Sequence, residues 1–165
     1  MKRFINLKDI PSRDLRKIIV DAKQRKKQRK KLNILEPDKG SPHKAKMLVQ
    51  MFEKASSRTR ISFYLAIKQH GGGTLTLRSN ELQLGQGGET IADTAKILST
   101  YGDGFMLRTD DDKKIDDFHK HLTIPIINGL SPSSHPTQVL SDIFTVEEIK
   151  KTNIKIKNLL DLRFQ

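Results

Sequence analysis

The sequence predicts an α/β fold with a parallel sheet of about four strands flanked by helices. Short apolar runs, of the kind found in strands buried on both faces, alternate with longer segments in which apolar residues recur at helical spacing. The chain has 165 residues, of which 35% are hydrophobic. That is enough for one core of ordinary domain size, so a single domain is expected.

The first predicted helix covers residues 14–31, with Ser12 as its N-cap. Its apolar positions, spaced for one helix face, are Leu15, Ile18, Ile19 and Ala22. The helix ends in a basic run, residues 23–31, which carries much of the formal net charge of +12. We interpret this run as the solvated end of the helix, because no aromatic RNA-binding signature or zinc-finger ligand set accompanies it. Binding of a polyanion such as nucleic acid is the alternative.

The next predicted unit is a strand, a helix and a second strand. Residues 47–52 form a short apolar run typical of a buried strand, and a polar cluster follows it directly. Helical spacing resumes at Ile61 and stops at the consecutive glycines of residues 71–73, which favour a helix C-terminus. The second strand is predicted over residues 74–77.

A second strand-helix alternation follows. Thr90 with Asp93 makes the start of a capping box, which predicts a helix running to about Tyr101. The third strand is predicted over residues 104–107 and ends at Arg108.

The last predicted elements are a polar helix, a strand and an apolar helix. The polar helix covers residues 113–121, and the fourth strand covers residues 124–127. Pro136 suits the first turn of the final helix, because its missing N–H would have no partner there. The apolar positions of that helix are Val139, Leu140, Ile143, Phe144 and Val146.

Polar side chains that follow successive strands predict where the functional site lies, because ligands of open parallel sheets bind beyond the carboxyl ends of the strands. Residues 56–60 open a helix, and their N–H groups, hydroxyls and guanidinium groups suit a phosphate. A capped helix start with solvated arginines is the structural alternative. Arg108 follows the third strand, and His135, Thr137 and Gln138 follow the fourth.

Two separated strings carry a resemblance to a known family. FEKASSRTR at residues 52–60 and HPTQ at residues 135–138 resemble the two carbamoyl phosphate motifs of the aspartate and ornithine carbamoyltransferases. Between them, residues 88–96 and 127–130 are similar to the ornithine branch. The aspartate branch usually has a lysine in the loop before the glutamate of the first segment, where this sequence reads Gln-Gly-Gly.

The resemblance implies a role for each matching position. The implied carbamoyl-phosphate-binding residues are Ser56, Ser57, Arg58, Thr59, Arg60, Gln83, Arg108, His135, Pro136, Thr137 and Gln138. Among them, Arg108, His135 and Thr59 are the implied catalytic residues, which face the carbonyl oxygen. Gln138 would face the carbamoyl nitrogen. Gln83 would reach the ligand from the loop that contains it, with Gln86 as the alternative glutamine.

The resemblance also implies an activity. It indicates a cytoplasmic, homotrimeric carbamoyltransferase of arginine biosynthesis, which makes L-citrulline and phosphate from carbamoyl phosphate and L-ornithine. No cofactor and no metal are implied, and no metal-ligand spacing occurs in the sequence. An aspartate-branch carbamoyltransferase and a non-catalytic oligomerisation or regulatory fragment are the alternatives.

The resemblance covers residues 1–150, which are expected to form the carbamoyl-phosphate-binding domain. Residues 151–165 are expected to be a truncated or divergent start of the family's ornithine-binding domain, so L-ornithine would bind only if that domain were supplied. The sequence has no cysteine, which excludes disulfides and thiolate sites within it. No apolar run of about 18 residues occurs, so no membrane partner is expected.

Overall fold

The computed structural model describes residues 3–78 and 88–154, and a single parallel sheet runs through them in the strand order β1-β5-β4-β2-β3. The strands are β1 (Arg3–Phe4), β2 (Met47–Phe52), β3 (Gly73–Arg78), β4 (Gly104–Arg108) and β5 (Ile126–Leu130). The α-helices are α1 (Ser12–Gln28), α2 (Ser57–Gln69), α3 (Ile91–Tyr101), α4 (Asp112–His121) and α5 (Pro136–Lys150). The predicted parallel α/β architecture is confirmed.

The element boundaries differ from prediction at several points. β1 was not predicted, because two residues are too few to form a pattern, and it adds a fifth strand beside β5. β5 begins two residues later than predicted, after Pro125, whose carbonyl accepts a hydrogen bond from the Phe105 N–H at 2.9 Å. The predicted capping role of Ser12 is wrong. Pro11 is the N-cap of α1, and its carbonyl accepts from the N–H groups of Asp14 and Leu15 at 2.8 and 3.1 Å.

Helices cover both faces of the sheet. On one face, α3 and α4 pack on the strands, and the rings of Phe105 and Phe118 lie 5.1 Å apart between centroids. On the other face, α2 packs through Phe63 and Ile67 against Leu48, Phe52 and Met106. α1 and α5 pack against each other and share a cluster of buried residues, namely Leu7, Ile10, Leu15, Ile19, Leu140 and Ile143. The sheet is therefore buried between two helical layers, as the apolar strands require.

The basic run at the end of α1 makes specific ion pairs. Lys23 lies 2.7 Å from Glu147 of α5, and Arg29 lies 2.5 Å from Asp38. Lys26 lies 2.6 Å from Glu148 and also 5.3 Å from the centre of the Phe144 ring. Much of this run therefore holds α1 against its neighbours, a role that the interpretation of a solvated helix end did not include.

Glu147 is the most deeply buried of these acids, with 2% of its surface exposed. Its carboxylate also accepts from Arg16 Nη1 at 2.6 Å and from the Ile154 N–H at 2.8 Å. Although burial opposes ionisation, these donors, led by Lys23 and Arg16, hold the pKa of Glu147 at about 2. The carboxylate thus joins α1, α5 and the chain just after α5.

Among the described helices, none has the length and apolarity needed to cross a membrane.

Candidate functional site

The N-terminus of α2 forms one wall of the candidate site. Ser56 is the N-cap in extended conformation, and its Oγ accepts a hydrogen bond from the Thr59 N–H at 3.3 Å. A serine hydroxyl that accepts in this way still has its own hydrogen to donate. The N–H groups of Ser57 and Arg58, in the first helical turn, have no acceptor within the helix. The capped helix start that was the structural alternative is therefore present, and it leaves donors for an anion.

Arg108 forms the second wall, at the carboxyl end of β4. The pairing of β4 with β5 shifts by one residue between Leu107 and Arg108, so the strand is irregular at this point. Arg108 Nη1 donates to Thr59 Oγ1 at 3.2 Å. The Nε of Arg108 is buried and has no acceptor among the residues that the structure describes. A buried donor without a partner is costly, so this nitrogen is suited to a ligand oxygen.

The N-terminus of α5 forms the third wall. His135 is the residue before the helix, and its Nδ1 lies 3.3 Å from Thr137 Oγ1. Burial lowers the pKa of His135, and the nearby positive charge of Arg108 lowers it further. Both effects favour the neutral imidazole. Pro136 is buried in the first turn of the helix, as predicted.

The loop that delivers His135 is held by Asn128, which is completely buried in β5. Its Nδ2 donates to Ser131 Oγ at 3.0 Å and to the Ser134 carbonyl at 3.3 Å. Its Oδ1 accepts from the Leu130 N–H at 3.0 Å. Only the family resemblance of residues 127–130 singles out Asn128 in the sequence, although an amide inside an apolar strand is itself a signal of a specific hydrogen-bonding role.

An open cavity of about 920 Å³ lies between these three walls. The predicted site residues that line it are Ser56, Ser57, Arg58, Thr59, Arg108, His135, Thr137 and Gln138. Phe63, Ala66 and Ser141 extend the lining between α2 and α5. The prediction that residues following successive strands form one site is therefore consistent with the structure, in which the lining residues are separated in sequence by up to 82 positions, from Ser56 to Gln138.

Two predicted site residues that the structure describes, Arg60 and Pro136, do not line the cavity. Arg60 is exposed in the first turn of α2 and does not line the cavity. Gln83 and its alternative, Gln86, lie outside the described residues. Gln138 lines the cavity, but its Nε2 donates to Asp142 at 2.8 Å, which leaves its Oε1 as the group available to a ligand.

The cavity is lined by groups that suit an anion and by uncharged hydrogen-bond donors. The N-terminus of α2 and the guanidinium groups of Arg58 and Arg108 favour a negatively charged group. Hydroxyls and a neutral imidazole add donors of defined direction. A parallel α/β domain with such a crevice at its strand ends is suited to binding a phosphoryl compound.

Comparison with known proteins identifies the family. Residues 2–148 match the family described as aspartate/ornithine carbamoyltransferase, carbamoyl-P binding domain, and the chain belongs to that family. A relative, the ornithine carbamoyltransferase of Rhizobium meliloti (strain 1021), is 45% identical over 147 residues, which are 89% of this chain and 46% of that protein. The chain thus spans about half the length of the curated relatives that it matches.

Solved structures agree with this assignment. The ornithine carbamoyltransferase of Pyrococcus furiosus is 41% identical, with a TM-score of 0.82 over 92% of this chain and 47% of that chain. The anabolic enzyme of Campylobacter jejuni is 37% identical, with a TM-score of 0.79 over 92% of this chain and 47% of that chain. The catalytic subunit of M. jannaschii aspartate transcarbamoylase is 28% identical, with a TM-score of 0.79 over 92% of this chain and 48% of that chain. Both branches therefore share the fold.

Proposed function

We propose that this chain binds carbamoyl phosphate in the cavity between the N-termini of α2 and α5, as the first half of an ornithine carbamoyltransferase. The observation that carries the proposal is the buried Nε of Arg108, which lacks an acceptor among the described residues and lies beside Thr59 at the start of α2. A planar carbamoyl group attached to a phosphate offers this region both an anion and a carbonyl oxygen. Two curated relatives, each 45% identical over 147 residues and each named ornithine carbamoyltransferase, favour the ornithine branch.

The phosphate is assigned to the start of α2. Ser56, Ser57, Arg58 and Thr59 supply hydroxyl, backbone N–H and guanidinium donors around one point. Charge-assisted hydrogen bonds of this kind are about twice as strong as neutral ones, and a guanidinium can bind two oxygens at once. Arg60 contributes positive charge from outside the cavity lining, so its expected effect is smaller than that of Arg58.

The carbonyl oxygen is assigned to Arg108, His135 and Thr59. When the Thr137 hydroxyl donates to Nδ1 of His135, the imidazole proton is on Nε2, which is then available to the carbonyl oxygen. Gln138 would accept from the carbamoyl NH2 through Oε1, because its Nε2 is engaged by Asp142. Pro136 and Thr137 fix the position of this edge of the site.

The reaction follows from these donors. The neutral side-chain amine of ornithine attacks the carbonyl carbon, and negative charge develops on the carbonyl oxygen. Arg108, His135 and Thr59 stabilise that charge. The carbonyl then re-forms as the C–O bond to phosphate breaks, and the departing phosphate takes up the proton that the amine loses. Each well-placed donor of this kind lowers the barrier by about 2.7 to 4 kcal/mol.

Ornithine binding is assigned to the part of a full-length protein that this chain does not span. Residues 1–150 are the carbamoyl-phosphate-binding domain in this proposal, and residues 151–165 lead toward the acceptor half. Assembly as a cytoplasmic homotrimer in arginine biosynthesis belongs to the same proposal. Leu75, on the edge strand β3, is 41% exposed and is one apolar side chain available to such assembly.

Titration calorimetry with carbamoyl phosphate and with phosphonoacetate, a stable analogue, tests the binding proposal. Arg58→Ala is expected to weaken binding about 10-fold to 150-fold, since a hydrogen bond to a charged group contributes about 1.5–3 kcal/mol. Arg13→Ala is the matched control, because Arg13 is an arginine on α1 whose side chain is 80% exposed. Absence of binding heat at millimolar ligand, or equal affinities for the parent and Arg58→Ala, would contradict the proposal.

A further inference from the structure

Glu53 lies directly after β2 and makes no contribution to the cavity lining, yet both of its carboxylate oxygens are engaged. Oε1 accepts from Lys114 Nζ at 2.6 Å, and Oε2 accepts from the Thr109 hydroxyl. The side chain is only 10% exposed. The backbone N–H of Glu53 also donates to the carbonyl of Arg108 at 3.0 Å. One residue therefore holds the main chain of Arg108 and the side chain of its neighbour Thr109.

This attachment is located where β4 is irregular. Because the register shifts between Leu107 and Arg108, the pleat alone does not fix the direction of the Arg108 side chain. Thr109 is buried, with 4% of its surface exposed, and its N–H donates to the Leu130 carbonyl at 3.0 Å. The end of β4 is thus held by Glu53 on one side and by β5 on the other.

The same carboxylate also orders the start of α4. The Thr109 hydroxyl oxygen accepts from the Asp111 N–H at 3.1 Å, and Asp111 is the N-cap of α4. Lys114 belongs to the first turns of α4. Its ion pair with Glu53 neutralises a carboxylate that would otherwise weaken an anion site at the adjacent strand ends. Glu53 therefore links the ends of β2 and β4 to the start of α4, and its own charge is neutralised by Lys114.

We propose that Glu53 is a positioning residue that holds the Arg108 guanidinium in the orientation needed by the carbonyl oxygen of carbamoyl phosphate. The inference rests on the proposed function, because it takes Arg108 as a ligand-binding group. Glu53 acts through Arg108 and does not touch the ligand. A glutamine at this position can direct Oε1 to Lys114 and Nε2 to the Thr109 oxygen, so Glu53→Gln keeps both connections, whereas Glu53→Ala removes both.

Two measurements on the chain test this role. The first is the NMR signal of the Arg108 Nε–H in ¹⁵N-arginine-labelled protein, identified by its loss in Arg108→Lys. The second is the calorimetric Kd for phosphonoacetate. Glu53→Ala is expected to shift and broaden the Arg108 signal and to raise Kd about 10-fold to 100-fold, the range found when outer partners of metal ligands are removed. Glu53→Gln is expected to restore the signal and to keep Kd within about tenfold of the parent value.

Glu148→Ala is the matched control, because Glu148 also forms a 2.6 Å ion pair with a lysine but lies on α5 and is 47% exposed. It should change neither measurement. If Glu53→Ala does not fold, Thr109→Val removes one of the two side-chain donors and should shift the Arg108 signal. An unchanged Arg108 signal in a folded Glu53→Ala or Thr109→Val variant overturns the inference, and so does a Glu53→Gln variant as impaired as Glu53→Ala. A parent that binds no ligand contradicts the proposed function, and the Arg108 signal still decides the role of Glu53.

Discussion

Gln50 is a polar residue whose replacement should stabilise the protein. It lies in the middle of β2, paired with Thr76 of β3 on one side and Met106 of β4 on the other, and it is completely buried. By strand alternation it faces the same helical layer as Leu48 and Phe52, whose surroundings are apolar. Neither its Nε2 nor its Oε1 has a hydrogen-bond partner within residues 3–78 and 88–154. The buried amide therefore loses its hydration without compensation.

The size of the effect follows from the cost of that burial. A buried polar group without a partner costs about 1–3 kcal/mol. Methionine has nearly the shape of glutamine, and a swap that conserves volume in a core usually costs less than about 1.5 kcal/mol. Gln50→Met is therefore expected to raise the free energy of unfolding by about 1–2 kcal/mol. For a chain of this size, that corresponds to a Tm increase of about 2–8 °C.

Urea unfolding followed by circular dichroism measures this change, with an unchanged m value as evidence that the denatured state is not affected. Asn128→Leu is the informative contrast, because Asn128 is an equally buried amide whose nitrogen and oxygen are both hydrogen-bonded. It should destabilise the protein by about 1–3 kcal/mol. A Gln50→Met variant that is no more stable than the parent would refute the reasoning, since the amide would then have to be satisfied by bound water.

Two further predictions concern pH. Because the pKa of Glu147 is lowered from its usual 4.5 to about 2, its ion pairs stabilise the fold fully above pH 4.5, and this contribution is lost as pH falls toward 2. Glu147→Gln should be less stable than the parent at pH 7, with a smaller loss between pH 5 and 2 in acid-unfolding curves; identical curves would contradict this. His135 should titrate in NMR spectra below its usual pKa of 6.5, because burial and Arg108 disfavour its charged form. A midpoint at or above 6.5 would show that its imidazole is not held neutral as inferred.

The helices and strands were largely predictable because each carries a local signal. The apolar run of β2 was located with its correct bounds, and the predicted N-cap of α3 is present, since Thr90 Oγ1 accepts from the Asp93 N–H at 3.1 Å. β1 is too short for such a signal and exists only because β5 supplies its partner. Serine is a residue type that often caps helices, but the N-cap of α1 is Pro11, the residue before Ser12.

The candidate site was predictable for those residues that lie at or just after the ends of strands. Arg108 and His135 follow strands, and both line the cavity. Arg60 could not be separated from Arg58 by residue type, because only helix geometry turns its side chain away from the face that Arg58 shares with Ser62. The contacts of Glu53 were not predictable either, since they join residues that are 56 and 61 positions away in sequence.

The strand order has a consequence for where a crevice can open. From β2 the chain moves outward to β3, and it then returns across β2 to place β4 on the opposite side. The segments that follow β2 and β4 therefore lead to helices on opposite faces, α2 on one and α4 on the other. Neighbouring strands whose connections diverge leave a gap between them, the topological switch point of an open α/β sheet. Thr59 and Arg108 are in contact across that gap. The position of the crevice is therefore set by the order in which the strands are connected, and the side chains determine only what it binds.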